Sequence, residues 1–149
     1  MTDSYSVCDV ADWFLKKEPM SDKKVQKLTY YAVAWGWALL HRSIINDDQF
    51  QAWVHGPVSP KLYAKYRDCG WNSIPQPDDQ TEFDKQTTDL LESVWETYGD
   101  KDANELEALT HTELPWQNAR RGYEPNQNSN KVIDTDDMRN FYLSIYNGD

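Results

Sequence analysis

Apolar residues recur at helical spacing through most of the chain, and residues that cap or stop helices separate the stripes. Val7, Val10, Ala11, Phe14 and Leu15 share one helical face. Ser6 and Asp9 make a capping-box pair ahead of them, and Pro19 closes the segment. Ser21 caps a second helix whose stripe is Val25, Leu28, Ala32, Trp35 and Leu39, with Tyr31 beside it. This is the strongest element in the pattern, and it is expected to lie near the centre of the fold with one side buried.

The pattern then changes period. Ile44-Ile45, Asn46-Asp47-Asp48 and the run from Gln49 to Val54 read as a small β-hairpin, because the middle residues tolerate left-handed backbone. Phe50, Ala52 and Val54 would share one face, with Trp53 on the other. His55-Gly56-Pro57-Val58 is expected to break the strand, and Ser59 to cap a short helix with Pro60 at its first position. Leu62, Tyr63 and Tyr66 form that helix's apolar side. Residues 69–81 carry Gly70, Asn72, Pro75, Pro77, Asp78 and Asp79 and read as an irregular linker.

Helical spacing returns at Thr87, Leu90, Leu91, Val94 and Tyr98, with Thr81 or Asp84 as the cap and Gly99 as the stop. Asp102 with Glu105 starts a helix through Leu106 and Leu109. Pro115-Trp116 starts another that ends near Arg120-Arg121-Gly122. Asn126 to Asn130 is a polar loop. A last helix from about Thr135 presents Met138, Phe141, Tyr142 and Ile145. The expected architecture is mainly α: a single compact helical domain over residues 1–149, with one small β-hairpin and a long central second helix.

Composition refines this picture. A chain of 149 residues can bury a sizeable core, and its 7 Trp and 9 Tyr are an aromatic-rich stock for that core or for an interface. The net charge of −10 is uneven. Residues 1–67 hold nine Lys and Arg against seven Asp and Glu, whereas residues 68–149 hold six against eighteen. An acidic half repels phosphate backbones, so no nucleic-acid partner is expected, and a basic protein partner suits it better. Lys16-Lys17 and Lys23-Lys24-Lys27 are the one basic cluster, read as a solvated helix end and helix start. Cys8 and Cys69 stand far apart without a secretory leader, and no stretch approaches membrane-spanning length. A cytoplasmic protein with free thiols and no membrane partner is expected.

Candidate chemistry is thin. Cys8, Cys69, His41, His55 and His111 show no metal-ligand spacing, so neither metal nor cofactor is expected. Cys69 or Ser59 could pair with His55 or His111 as nucleophile and base, yet no nucleophile elbow is present, and Ser59 already suits a cap. The glycines form no phosphate-cradling loop. His111 lies near a helix C-terminus, where the dipole favours a protonated imidazole. Trp116 reads as the staple of a helix corner. The most specific local signal is the rigid Gly56-Pro57 turn, which either sets a strand-to-helix crossing or presents a pre-ordered loop to a partner. On the second reading the partner-binding residues are His55, Gly56, Pro57, Val58, Lys61 and Lys65, with His55, Val58, Lys61 and Lys65 along one accessible edge.

Several ordered motifs add to this. Val10-Ala11-Asp12-Trp13-Phe14 opens the chain. Gln26-Lys27-Leu28-Thr29-Tyr30-Tyr31 follows, then Ala52-Trp53 and Gly56-Pro57-Val58 with Pro60 and Tyr63, then Leu109-Thr110-His111 with Glu113 and Pro115-Trp116, then Met138 and Phe141-Tyr142. Together they resemble the Panacea antitoxin domain, a SocA-like, phage-associated family, over nearly the whole chain. Thr29 departs from it, standing where the family tends to carry leucine. The resemblance implies an antitoxin that neutralises a cognate toxin by direct protein contact and is not an enzyme. Family members occur in bacteria and phages and partner unrelated toxins, including nucleotide-pyrophosphate synthetases and membrane-acting peptides. One branch resembles a proteolytic adaptor that hands its toxin to a protease, which is the first alternative. With the domain filling the chain, no fused DNA-binding module is expected, so direct neutralisation is favoured over operator binding. A second alternative, a small hydrolase on His55, His111 and Cys69, requires those side chains to converge in a pocket.

Overall fold

The first helix begins where a capping box closes. Ser6 Oγ accepts from the Asp9 backbone N–H at 3.1 Å, and the Asp9 carboxylate accepts from the Ser6 N–H at 3.1 Å. In this computed structural model, which describes residues 5–46, 49–69, 72–78 and 81–147, the elements run in chain order as follows. Helix α1 spans Val7–Lys17 and α2 spans Asp22–Leu39; strands β1 and β2 are Gln51–Trp53 and Gly56–Val58; α3 is Pro60–Tyr66, followed by a 3-10 turn at Arg67–Cys69. Then come α4 at Lys85–Tyr98, α5 at Ala103–His111, α6 at Leu114–Ala119 and α7 at Thr135–Tyr146. The protein is mainly helical, with one small two-stranded antiparallel sheet. No helix among the described residues is long and apolar enough to cross a membrane.

Helix α2 is the hub, touched by α1, α3, α4, α5, α7 and β2. Val25, Leu28 and Ala32 of its expected stripe are buried, whereas Trp35 and Leu39 are only half-buried. Every residue from Val25 to Ala34 is buried, including Gln26, Lys27 and Thr29. With neighbours on all sides, polar residues that looked like a solvent face are enclosed. Small residues let those neighbours close in: a Cβ on Gly36 would stand 3.3 Å from Ile44 Cγ2. The basic cluster is corrected accordingly. Lys27 is 1% exposed, so it belongs to the core and not to a solvated helix start.

The hairpin is real but shifted along the chain. β1 pairs with β2 in the register Gln51↔Val58, Ala52↔Pro57 and Trp53↔Gly56, so the turn is at Val54-His55. Gly56-Pro57-Val58, expected to break the strand, is the second strand. Gly56 holds φ at 112°, which a glycine reaches without strain. Pro57 has no N–H to give, a loss that a two-stranded ribbon tolerates. Ile45 instead bridges Tyr5 in parallel, while Asp47, Asp48, Gly70 and Asp79, all read as turn or linker residues, lie outside the described residues. The outer edge of β1 is covered by the segment before α7: Ala52 N–H donates to Lys131 O at 2.9 Å, and Ile133 N–H to Phe50 O at 2.8 Å.

The remaining boundaries follow the caps. Ser59 caps α3, with Pro60 at its start. Leu62 and Tyr66 are buried, whereas Tyr63 is 40% exposed and leans on Trp53 with ring centroids 5.0 Å apart. Asp84 caps α4 through the Thr87 N–H at 2.8 Å; Thr81 donates instead to Asp9 Oδ1. Thr87, Leu90, Leu91, Val94 and Tyr98 are the buried set of α4. Gly99 closes that helix with φ at −65°, so its role is room beside the Trp95 indole, not left-handed backbone. Asp102 and Glu105 form a capping box on α5. On α7, Met138 and Tyr142 are buried, while Ile145 is exposed.

Candidate partner-binding site

The motifs converge on the hairpin. From α2, the Gln26 side chain clamps both backbone groups of Ser59: Oε1 accepts from the Ser59 N–H at 2.8 Å, and Nε2 donates to Ser59 O at 3.2 Å. The neighbouring Lys27 sends Nζ to Pro57 O at 3.2 Å. Its stem passes under Gly56, where an added Cβ would lie 2.6 Å from Lys27 Cε and 3.0 Å from Thr110 Oγ1. Behind the hairpin, Trp116 Nε1 donates to Trp53 O at 2.9 Å and Arg120 Nη1 to Ala52 O at 2.9 Å. The His111 ring stacks on Trp116 at 4.0 Å, which is the staple expected of that corner.

Charges tie the hairpin tip to α5. Glu107 is ion-paired with Lys23, and His55 Nδ1 meets Glu107 Oε2 at 3.0 Å. His111 Nε2 lies 4.0 Å from the same oxygen. Burial works against the Glu107 charge, but hydrogen bonds from Lys23 and His55 outweigh it and hold the carboxyl below its ordinary range. Burial lowers Lys27 to about 8, and the nearby Lys23 charge adds to this. Burial also raises Asp22 against the pull of Lys27, and its Oδ1 has no hydrogen-bond partner among the described residues. For His111 the dipole expectation is overturned. Desolvation lowers its pKa despite Glu107, so the neutral ring is favoured where an exposed helix end would favour the cation.

A second polar cluster lies deeper. Glu113, 6% exposed, accepts from Tyr31 OH at 2.9 Å and Tyr142 OH at 2.7 Å on Oε1. Tyr142 also meets Tyr30 OH at 3.2 Å. Burial pushes Glu113 up to about 7, although both tyrosine hydrogen bonds favour its charged form.

Of the residues expected at the partner surface, His55, Lys61 and Lys65 are exposed, and Gly56, Pro57 and Val58 are buried. Val58 is only 7% exposed but lines two clefts that flank the hairpin tip. One, about 780 Å³, runs between the hairpin and the polar loop Asn126 to Asn130. The other, about 370 Å³, lies between the hairpin, the start of α2 and α3. His55 and His111 meet at Glu107, but Cys69 lines neither cleft, and Ser59, 1% exposed, uses Oγ as a helix cap. The convergence that the hydrolase alternative requires is therefore absent for its nucleophile. His41 is exposed, and among the described residues no group of three or more His, Cys, Asp and Glu could hold a metal ion.

Periodicity and spacing gave Gln26, Lys27, Glu107 and Glu113 no role. For Gln26, Lys27 and Glu113 the available signal was their place in the ordered family motifs, and Glu107 carried none.

The buried polar groups thus hold the hairpin between two clefts. The family model for the SocA-like antitoxin, Panacea domain matches residues 25–117, which run from α2 into α6. The chain belongs to that family. No curated protein and no solved structure matches the chain.

Proposed function

We propose that this protein is the antitoxin of a toxin–antitoxin system and neutralises a cognate protein toxin in the cytoplasm by direct binding, with the whole of residues 1–149 acting as one Panacea-like domain. The observation that carries this reading is the family match over residues 25–117. The geometry supports it: the matched motifs supply side chains that brace the hairpin, and none of these presents a nucleophile to a cleft. Among the residues proposed for contact, His55, Lys61 and Lys65 face solvent, while Gly56, Pro57 and Val58 are buried as the second strand of the braced hairpin. Such pre-ordering lowers the entropic cost of association.

The test is co-expression with the product of the neighbouring gene. Growth should be restored and the two proteins should co-purify, with toxin half-life unchanged by the antitoxin. If the neighbour is toxic but is neither bound nor suppressed, the reading fails. If growth is restored and the toxin half-life falls, the protein is a proteolytic adaptor.

A further inference from the structure

The 370 Å³ cleft has a chemistry that neither the fold nor the hairpin brace requires. One wall is apolar: Trp53 and Tyr63 pack edge to face, with Val58 beside them. Arg67, one helical turn beyond Tyr63, lines the cleft together with Lys23, Lys27 and Asp22. Lys61 and Lys65 are exposed on α3 outside the lining, and Asp68 follows Arg67. The Arg67 guanidinium makes no hydrogen bond or ion pair among the described residues. By contrast Lys23, on the same cleft, is engaged by Glu107 and by Asn104 Oδ1 at 2.9 Å. The lining holds Lys23, Lys27 and Arg67 against Asp22, a local inversion of sign on a chain of net charge −10, and such an inversion selects for an acidic ligand and orients its approach.

We propose that this cleft binds an acidic segment of the partner protein, with an Asp or Glu carboxylate against Arg67 and an adjoining aliphatic side chain against Trp53, Val58 and Tyr63. The planar guanidinium suits a carboxylate in a two-bond fork. Inorganic phosphate fits less well, because Asp22 stands in the lining beside the cations. A lining that holds both signs favours a ligand with both acceptors and donors, and a peptide has both. This proposal rests on the antitoxin reading for the identity of its partner, but not for its binding chemistry.

The test has two arms. In the first, the isotopically labelled protein is titrated with acetyl-Asp-Glu-Leu-Leu-amide, with acetyl-Lys-Lys-Leu-Leu-amide and with inorganic phosphate, following amide and indole resonances. The acidic peptide should give saturable, salt-sensitive shifts at Trp53, Tyr63 and Arg67, and the other two probes should not. Arg67→Glu should weaken binding by about tenfold or more with an unchanged thermal melt, since the side chain is exposed. Tyr63→Ala should weaken it through the apolar wall. Absence of saturation, or an equal response to the basic peptide or phosphate, overturns the proposal. In the second arm, both variants are co-expressed with the neighbouring toxin. Rescue by wild type but not by Arg67→Glu supports the cleft. Rescue by both variants as strong as wild type overturns it and leaves the antitoxin reading standing. Saturable acidic-peptide binding without rescue by wild type sinks the antitoxin reading and keeps the cleft.

Discussion

Two buried ionisable residues carry most of what was invisible in the linear pattern. Lys27 spends its length under the hairpin, and Glu113 lies among three tyrosines. For Glu113 the native pKa is about 7 against an ordinary 4.5, so between those values the folded state holds a proton that the unfolded chain has lost. Stability from this group is therefore full below about pH 4.5, declines as pH rises, and is gone above about 7. The span corresponds to at most roughly 3 kcal/mol. Glu113→Gln keeps an acceptor for Tyr31 and Tyr142 but cannot titrate. Urea unfolding at pH 5 and pH 8 should show that the variant loses less stability on this rise than wild type does. Equal losses would mean that Glu113 is ionised throughout and the tyrosines carry its charge. Lys27 contributes in the opposite direction at higher pH: its native pKa of about 8 lies below 10.5, so deprotonation above 8 relieves the cost of burying its charge.

At the scale of elements, the helices were legible and the hairpin was only half so. Ser6, Ser21, Ser59 and Asp102 cap the helices that their sequence positions indicate, because a cap is a local bond between near neighbours. The apolar set of α4 was legible for the same reason: one face meets the core and the other meets water. The hairpin register was not legible, since it depends on groups thirty and more residues away. Lys27 reaches Pro57 O, Thr110 packs at Gly56, and Trp116 holds Trp53 O. A glycine followed by a proline reads locally as a strand end, and only these partners make it a strand. The exposure of His55, Lys61 and Lys65 could be read from polarity, whereas the burial of Val58 and Lys27 could not. The interlock has a measurable consequence. Gly56→Ala should cost about 2 kcal/mol or more, from positive-φ strain and the collision with Lys27. In a Lys27→Ala background the cost should be smaller, leaving the backbone strain and the Thr110 contact. Equal costs in both backgrounds, read from denaturant midpoints, would show that Lys27 does not pack where it is placed.

Across the whole molecule, α2 connects the two ends of the chain to the site. Its Gln26 and Lys27 brace the hairpin, while Tyr30 and Tyr31 reach the Glu113 cluster. Tyr142 of α7 completes that cluster from outside the matched residues 25–117. The segment before α7 also seals the edge of β1 through Lys131 and Ile133, so residues beyond the matched span support the hairpin. The molecule thus holds a braced hairpin between two clefts. The proposed antitoxin action is neutralisation by contact alone. The most direct measurement is titration of purified toxin activity with purified antitoxin, with no protease present. Loss of toxin activity that saturates at a fixed molar ratio is the predicted result. Toxin activity left intact by excess antitoxin, for a toxin that the same protein suppresses in cells, would contradict it.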